Sequence, residues 1–338
     1  MKLVVTGGAG FIGSCFVRMA LRNNWADQII NIDKLTYAGN LDNLKPIADH
    51  PGYRFVRADI ADNEAIENLF ETESPDAVVH FAAESHVDRS IHSPAPVILT
   101  NFNGTFSLLE AARKHKVARF VHVSTDEVYG SIEPPHEADE SYPLRASSPY
   151  SASKAGSDLL ALSYFTTYKL NISVTRASNN YGPYQFPEKL IPLMISNALE
   201  DKPLPIYGDG QQIRDWLYVE DHCHAIHSVL EKGHPGEVYN VGGNCSLPNL
   251  EVVKRILKAT GKPESLMTRV ADRPGHDRRY ALTNAKLTRE TGWKPEMGFN
   301  RGLGETVDWY RSNSDWTDRV KSGEYRRFYE LNYAHRSE

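Results

Sequence analysis

Two stretches of this chain combine residue types able to do chemistry together. Val121-His122-Val123-Ser124-Thr125-Asp126-Glu127 reads as an apolar strand ending in a hydroxyl and two adjacent carboxylates, followed by Val128-Tyr129-Gly130. Tyr150-Ser151-Ala152-Ser153-Lys154 sets a phenol and an ammonium four residues apart, on one face of a helix. A nearby ammonium favours phenolate, so Tyr150 is a candidate base toward a hydroxyl near neutral pH, and Lys154 can also hold a ribose hydroxyl. If Tyr150 takes a proton while a dinucleotide takes a hydride, an alcohol becomes a ketone, and the ketone acidifies the carbon beside it. Glu127 as carboxylate can then remove that proton, and Asp126 as carboxylic acid can protonate a departing hydroxyl. Two carboxyls in one closed pocket resist joint ionisation, which yields one base and one acid. Return of the hydride leaves a net loss of water with no net redox change. A surface turn is the plain alternative for the Asp-Glu pair, and a solvated pair for Tyr150 and Lys154, so both depend on a dinucleotide unit nearby.

The N-terminal residues supply one. Lys2–Thr6 reads as a strand, Gly7-Gly8-Ala9-Gly10-Phe11-Ile12-Gly13 as a turn, and the next residues to about Asn23 as a helix. A second strand, Gln28–Ile32, ends at Asp33, twenty residues past Gly13. Gly7, Gly10 and Gly13 permit a tight turn whose backbone N–H groups meet a pyrophosphate at a helix N-terminus. Asp33 would accept from the adenosine ribose hydroxyls and repel a 2′-phosphate, which favours NAD over NADP; the neighbouring Lys34 pulls the other way. Tyr53–Ala58 is the third strand, closed by Asp59-Ile60. That pair either brackets an adenine ring or caps the helix Asn63–Glu71. Ala77–Ala82 is the fourth strand, and Ala82 and Ala83 are small enough for close approach of a cofactor. His86, just beyond, is either a ligand contact or a polar loop residue. Thr100 precedes an amphipathic helix, Asn101–Lys114. Arg119–Ser124 and Ile172–Arg176 are the fifth and sixth strands, separated by the helix Tyr150–Tyr168.

Strands alternating with helices predict an α/β fold with a doubly wound parallel sheet, whose ligands lie outside the carboxyl ends of the strands. The glycine turn, Asp33, Asp59, Ala82-Ala83 and Thr125-Asp126-Glu127 all follow strands and should converge on one edge. After Ser178 the chain turns Gly- and Pro-rich and predicts a second, smaller mixed α/β domain. The expected division is a Rossmann domain over residues 1–178, with 216–243 returning to it through Val238–Val241, and a second domain over 179–215 and 244–338. The aromatic, charged tail 312–338 is expected to wrap the surface.

Composition bounds the partners. Net charge is −5, with 41% hydrophobic and 24% charged residues. That leaves no broad cationic field for nucleic acid, so an anionic ligand must be caught by a local cluster. The longest apolar runs fall short of a membrane span, and the N-terminus has no basic, cleavable leader. Three cysteines, Cys15, Cys223 and Cys245, form no paired pattern and fit a reducing cytoplasm. Ser151-Ala152-Ser153-Lys154 matches a Ser-x-x-Lys acyl-enzyme signature, but the companion motifs are missing. Asp221-His222-Cys223-His224 with His227 resembles a metal cluster, yet neighbours on a helix point to different faces, and no metal is expected.

The glycine turn and the Tyr150/Lys154 pair resemble the extended short-chain dehydrogenase/reductase family. Ser124-Thr125-Asp126-Glu127-Val128-Tyr129-Gly130, Phe81-Ala82-Ala83-Glu84-Ser85-His86-Val87-Asp88-Arg89-Ser90, Asn179-Asn180-Tyr181-Gly182-Pro183-Tyr184 and Glu188-Lys189-Leu190-Ile191-Pro192 are similar to its dTDP-glucose 4,6-dehydratases over nearly the whole chain. The resemblance implies NAD as cofactor, dTDP-glucose as substrate, and a homodimer joined through the helices Asn101–Lys114 and Tyr150–Tyr168. It implies Thr125 and Tyr150 at the sugar 4-hydroxyl, Asp126 as acid for the 6-hydroxyl and Glu127 as base at C5. It places Phe11, Ile12, Asp33, Lys34, Leu35 and Thr36 along NAD, with Asp59, Ile60, Ala82, Ala83, Ser85, Thr100, Lys154 and Asn180. It places Ser85, His86, Asn179, Lys189 and Leu190 along the nucleotide sugar, together with Pro205, Ile206, Tyr207, Arg214, Asn249, Asp272, Arg273 and His276. Arg214 can fork onto a diphosphate and Tyr207 offers a face to a pyrimidine. A nucleotide-sugar 4-epimerase, a 4,6-dehydratase acting on UDP-glucose, and a regulatory protein with a degenerate site are the competing expectations.

Overall fold

Successive residues of the strand Lys2–Thr6 (β1) feed opposite cores: Leu3 and Val5 pack on one side, Val4 on the other. The neighbouring strands divide the same way, Ile29 from Ile30, Val79 from Val78, and Val121 from Phe120. A sheet covered on both faces needs such continuous apolar runs rather than alternation. The computed structural model describes residues 1–321 and Tyr329. After β1 come Gln28–Asp33 (β2), Tyr53–Arg57 (β3), Ala77–His80 (β4), Arg119–Thr125 (β5) and Ile172–Ala177 (β6). Then come Asn179–Tyr181 (β7), Leu204–Tyr207 (β8), Ile213–Tyr218 (β9), Val238–Val241 (β10), Ser246–Pro248 (β11) and Met267–Val270 (β12).

Seven strands form one parallel sheet in the order β10-β6-β5-β4-β1-β2-β3. Strand order reverses between β1 and β4, and the crevice opens at their carboxyl ends, where such sheets bind ligands. The helices Phe11–Arg22 and Val219–Lys232 contribute to the core on one face; Asn63–Glu73, Thr105–Lys114 and Pro149–Tyr168 contribute to the core on the other. A separate core joins the helices Leu190–Leu199, Asn249–Thr260 and Phe299–Ser312 around Tyr181, Trp216 and Tyr218. Beside it lie a three-stranded sheet, β11-β9-β7, and a parallel pair, β12-β8.

Val238–Val241 pairs in parallel with β6 at the edge of the main sheet. Trp216–Tyr218, at the start of the segment expected to return there, instead pairs with β7. The helix Ser314–Val320 seats Trp316 against Asn43 of the first unit through a 3.0 Å hydrogen bond. The rest of the expected surface-wrapping tail, from residue 322 on, lies outside the described residues apart from Tyr329. The single helix expected over Asn101–Lys114 is the end of a longer irregular rod. Pro94–Ile98 is followed by a wider π turn, Leu99–Gly104, and then by Thr105–Lys114. The Asn101 amide is drawn inward to the Glu84 backbone and to Ser153, and Gly104 sits where a Cβ would lie 2.5 Å from Ile60. Apolar periodicity does not register such a widening, which recurs at functional sites.

Candidate active site

Two connected clefts open at the carboxyl edge of the sheet. The first is walled by the glycine turn and by the loops after β2, β3, β4, β5 and β6. Gly7 holds φ +72°, and a Cβ there would lie 2.6 Å from Ala82 N; a Cβ on Gly13 would lie 2.3 Å from Gly7 O. Only glycine lets these backbones close up while leaving N–H groups at the start of the helix Phe11–Arg22 open to an anion. Asp33 accepts from Ala9 N at 2.9 Å and Leu35 N at 2.8 Å, which orients its carboxylate at the end of β2. Burial raises its pKa against those two bonds. Lys34 pairs with Asp59 at 2.5 Å, and both line the cleft. Asp59 is not a helix cap: Asp62 is, accepting from Ala65 N at 3.0 Å. Thr36, Ile60, Ala82, Ala83, Ser85, Thr100 and Asn180 line this cleft too, with Phe11 and Ile12. Leu35 acts from behind, through its backbone, in the left-handed region at φ +57°.

β5 delivers Thr125 as the cap of a short 3-10 turn over Asp126–Tyr129, with Glu127 N donating to its Oγ1 at 3.3 Å. The helix Pro149–Tyr168 begins with a reciprocal Ser148/Ser151 capping box and Pro149 at its first position, which sets the phase of Tyr150 and Lys154. Thr125, Glu127, Tyr150 and Lys154 all face the first cleft. Asp126 is 3% exposed and lies behind that wall, its Oδ1 taking a 3.4 Å contact from Thr125 and its Oδ2 buried without a protein partner.

Electrostatics separate the two carboxyls. Burial, then Glu127 and Asp215, push Asp126 well above the ordinary carboxylate range. Burial raises Glu127 as well, but Arg273, Lys189 and Arg214 oppose it. Asp126 is therefore the group that keeps its proton and Glu127 the one that ionises first. The Tyr150 phenol departs from expectation. Burial and then Glu127 raise it, and a Thr125 hydrogen bond works against them. The Lys154 ammonium donates to Val123 O at 2.8 Å, and burial lowers it to about 8 against the pull of Asp158. Desolvation thus outweighs the ammonium, and a phenolate needs further positive charge in the cleft.

The second cleft shares Glu127, Asn179, Lys189 and Leu190 with the first and continues to Pro205, Ile206, Tyr207, Arg214, Asn249, Arg273 and His276. Lys189 donates to Ser85 O at 2.7 Å. Arg214 stacks 4.1 Å from the Tyr280 ring centre and donates to the Ile213 and Asp277 carbonyls, so part of its fork is already engaged. Asp272 stays behind the wall, accepting from Gln212 and His276. His86 lines this cleft and also caps the helix Val87–His92, accepting from Arg89 N at 3.3 Å.

Several side chains here carry no signal in residue type or spacing. Asp88 takes Arg273 at 2.8 Å and Tyr207 at 3.0 Å; burial would raise its carboxyl, but these partners outweigh it and hold it below the ordinary range. The motif Ser85-His86-Val87-Asp88-Arg89 contains this residue without indicating its role. His222 meets Asn180 at 2.9 Å, while His227 stacks on Trp25 and Asp221 accepts from Glu296 and Met297 N–H groups, so the histidine-rich stretch is split among different partners. Buried polar atoms without a protein partner gather around the clefts: Asp126 Oδ2, Asn179 Oδ1, Asn249 Oδ1, His222 Nε2 and Gln185 Oε1. Such atoms are costly unless a ligand completes them, and the glycine cradle, the oriented Asp33 and these orphans together fit a dinucleotide.

Known proteins supply the context. The GDP-mannose 4,6 dehydratase family model matches residues 4–306. A dTDP-glucose 4,6-dehydratase of Salmonella typhimurium is 53% identical over 362 aligned positions, covering 99% of this chain and 100% of that one. That of Escherichia coli K12 is 52% identical over 361 positions, with the same coverage. The structure of a Streptomyces venezuelae dTDP-glucose 4,6-dehydratase with NAD and TYD bound superposes with a TM-score of 0.93 at 50% identity, over 95% of this chain and 100% of that one. A Thermus thermophilus UDP-glucose 4-epimerase with NAD reaches 0.86 at 33% identity, over 93% of this chain and 100% of that one.

Proposed function

The chain belongs to the dTDP-glucose 4,6-dehydratase family, and we propose that its two clefts divide the work between NAD and the nucleotide sugar. It is an NAD-dependent enzyme of the extended short-chain dehydrogenase/reductase type that converts dTDP-glucose to dTDP-4-keto-6-deoxyglucose. Gly7, Gly10 and Gly13 hold the pyrophosphate, Asp33 the adenosine ribose, and Lys154 the second ribose. NAD held there would supply the hydride acceptor and donor for the sugar and, in its oxidised form, positive charge in the cleft. Tyr150 accepts the 4-hydroxyl proton, with Thr125 holding that hydroxyl. Glu127, in the field of Arg273, Lys189 and Arg214, removes the proton at C5. Asp126, protonated by its burial, supplies the proton on which the 6-hydroxyl departs as water. Atoms balance: the C6–O bond breaks with loss of water, C5 gives up its proton to Glu127 on elimination and takes one back when the hydride removed at C4 is added at C6, so the net change is the loss of one water.

The observation that carries this reading is the pair of adjacent buried carboxyls in unequal surroundings: Asp126, enclosed beside Glu127 and Asp215, is pushed well above the carboxylate range, while Arg273, Lys189 and Arg214 oppose the effect of burial on Glu127 at the cleft wall. An epimerase needs no such pair. Incubation with dTDP-glucose should give a product lighter by one water. A product of unchanged mass would point to 4-epimerisation, and preferential turnover of UDP-glucose in competition would reassign the base.

In this assignment residues 1–178 with 216–243 make up the cofactor half; of the second segment Trp216–Tyr218 pairs with β7 and the rest packs on the main sheet, and 179–215 with 244–321 make up the sugar half. A homodimer accounts for an apolar face on adjacent helices: Leu159 is 59% exposed, and Leu99, Phe102, Phe106 and Tyr168 on the same helices are exposed as well. Single side chains of this kind are ordinary, but a cluster on one face marks an interface. Free thiols at Cys15, Cys223 and Cys245 suit a cytoplasmic enzyme. Among the described residues no helix is long and apolar enough to cross a membrane.

A further inference from the structure

A cofactor that lends a hydride and takes it back must not leave between the two steps, and one side-chain cluster away from the reacting groups bears on how it stays. The loop after β2 lines the first cleft with Thr36, Ala38 and Gly39, and the segment before the helix Leu190–Leu199 lines the same cleft with Phe186 and Glu188. These walls come from opposite halves of the chain and are joined through Tyr37. Its ring stands edge-on to Phe186, centres 5.8 Å apart, and carries the Arg89 guanidinium 3.8 Å from its centre. Arg89 in turn donates from Nε to Glu188 Oε2 at 3.1 Å. The Glu188 side chain is 4% exposed, and burial lifts it to about 7 against Arg89, Lys189 and a Tyr37 hydrogen bond. Tyr37 also reaches Ser85 of the loop after β4, and burial holds its phenol well above the ordinary range. An aromatic ring under a guanidinium that is itself paired with a buried carboxylate is a specific, low-dielectric contact rather than a surface accident.

We propose that Tyr37, Phe186, Arg89 and Glu188 form a bridge between the two walls of the dinucleotide cleft and, by holding those walls together, slow the escape of the bound NAD. None of the four touches the reacting atoms; they act by keeping the walls together. The proposal rests on the dehydratase reading, in which one hydride is removed and returned within a single turnover.

The experiment measures cofactor retention, not rate. Wild-type chain, Tyr37→Ala and Glu188→Gln are saturated with NAD and passed repeatedly through gel filtration. The nucleotide left on each is released by acid and counted per chain, while a circular-dichroism melt checks folding. The wild type should keep its NAD. Tyr37→Ala should lose it at least roughly tenfold faster, the size of one desolvated cation–π contact, and need added NAD for turnover. Glu188→Gln keeps the side-chain volume and should fall between. Folded variants that retain NAD as the wild type does would overturn the bridge, and so would a wild type that sheds NAD freely while still dehydrating the sugar. Faster loss in the variants of a chain that removes no water from dTDP-glucose would uphold the bridge and sink the dehydratase reading instead.

Discussion

Replacing Asp126 by Asn isolates elimination from oxidation. The carboxyl is almost wholly enclosed, with Glu127 and Asp215 adding to the effect of burial, so it is pushed well above the ordinary carboxylate range and its neutral, protonated form is favoured. Asparagine is neutral too and nearly the same size. The substitution therefore leaves the charge around Tyr150 unchanged, removes a proton donor, and opens no cavity. Loss of a positioned general acid costs on the order of 10²- to 10⁴-fold, equivalent to about 3–5 kcal/mol of barrier. That penalty falls on departure of the 6-hydroxyl, because the proposed base for hydride removal at C4 is Tyr150, not Asp126. On mixing with dTDP-glucose, the variant should reduce its bound nicotinamide at close to the wild-type rate and then hold it reduced, visible as sustained near-ultraviolet absorbance. Quenched samples should contain the ketosugar with its water still attached. Slowing of both steps to the same extent, or oxidation that is lost while elimination of a supplied ketosugar survives, would refute the assignment of Asp126 as acid.

Tyr150→Phe removes the proton acceptor and should slow formation of reduced nicotinamide by roughly 10²-fold or more; a variant that still reduces its cofactor normally would remove Tyr150 from that role. Lys154, lowered to about 8 by burial, carries its charge below that pH and loses it above. Hydride removal should therefore decline as pH rises through about 8, and Lys154→Arg, which stays charged, should lack that alkaline limb in a single-turnover pH profile. The same shift has a sign for stability: the folded value lies below the unfolded one, so the buried lysine is a burden at low pH that eases as pH rises from about 8. If the proposed homodimer uses the exposed apolar face, Leu159→Glu places a charge in it and should shift the chain's mass by light scattering from dimer to monomer; a dimeric variant would move the interface elsewhere, and a monomeric wild type would remove it.

The amino-acid sequence by itself determined the features that local rules can encode. Glycines packed closer than any Cβ allows, apolar runs buried on both faces, an acid at the end of the second strand, and a Tyr–Lys pair one helical turn apart each state their purpose in residue type and spacing. It thereby defined a doubly wound sheet, a dinucleotide site and five candidate side chains on one edge. Tertiary packing decided the rest, because desolvation and long-range pairing depend on neighbours far along the chain. It pushed Asp126 well above the carboxylate range, set cations from residues 189, 214 and 273 against the burial of Glu127, and turned the Lys154 ammonium toward the Val123 carbonyl. It made Asp88 the meeting point of Arg273 and Tyr207, 185 and 119 residues away, a contact that no periodicity or motif spacing encodes.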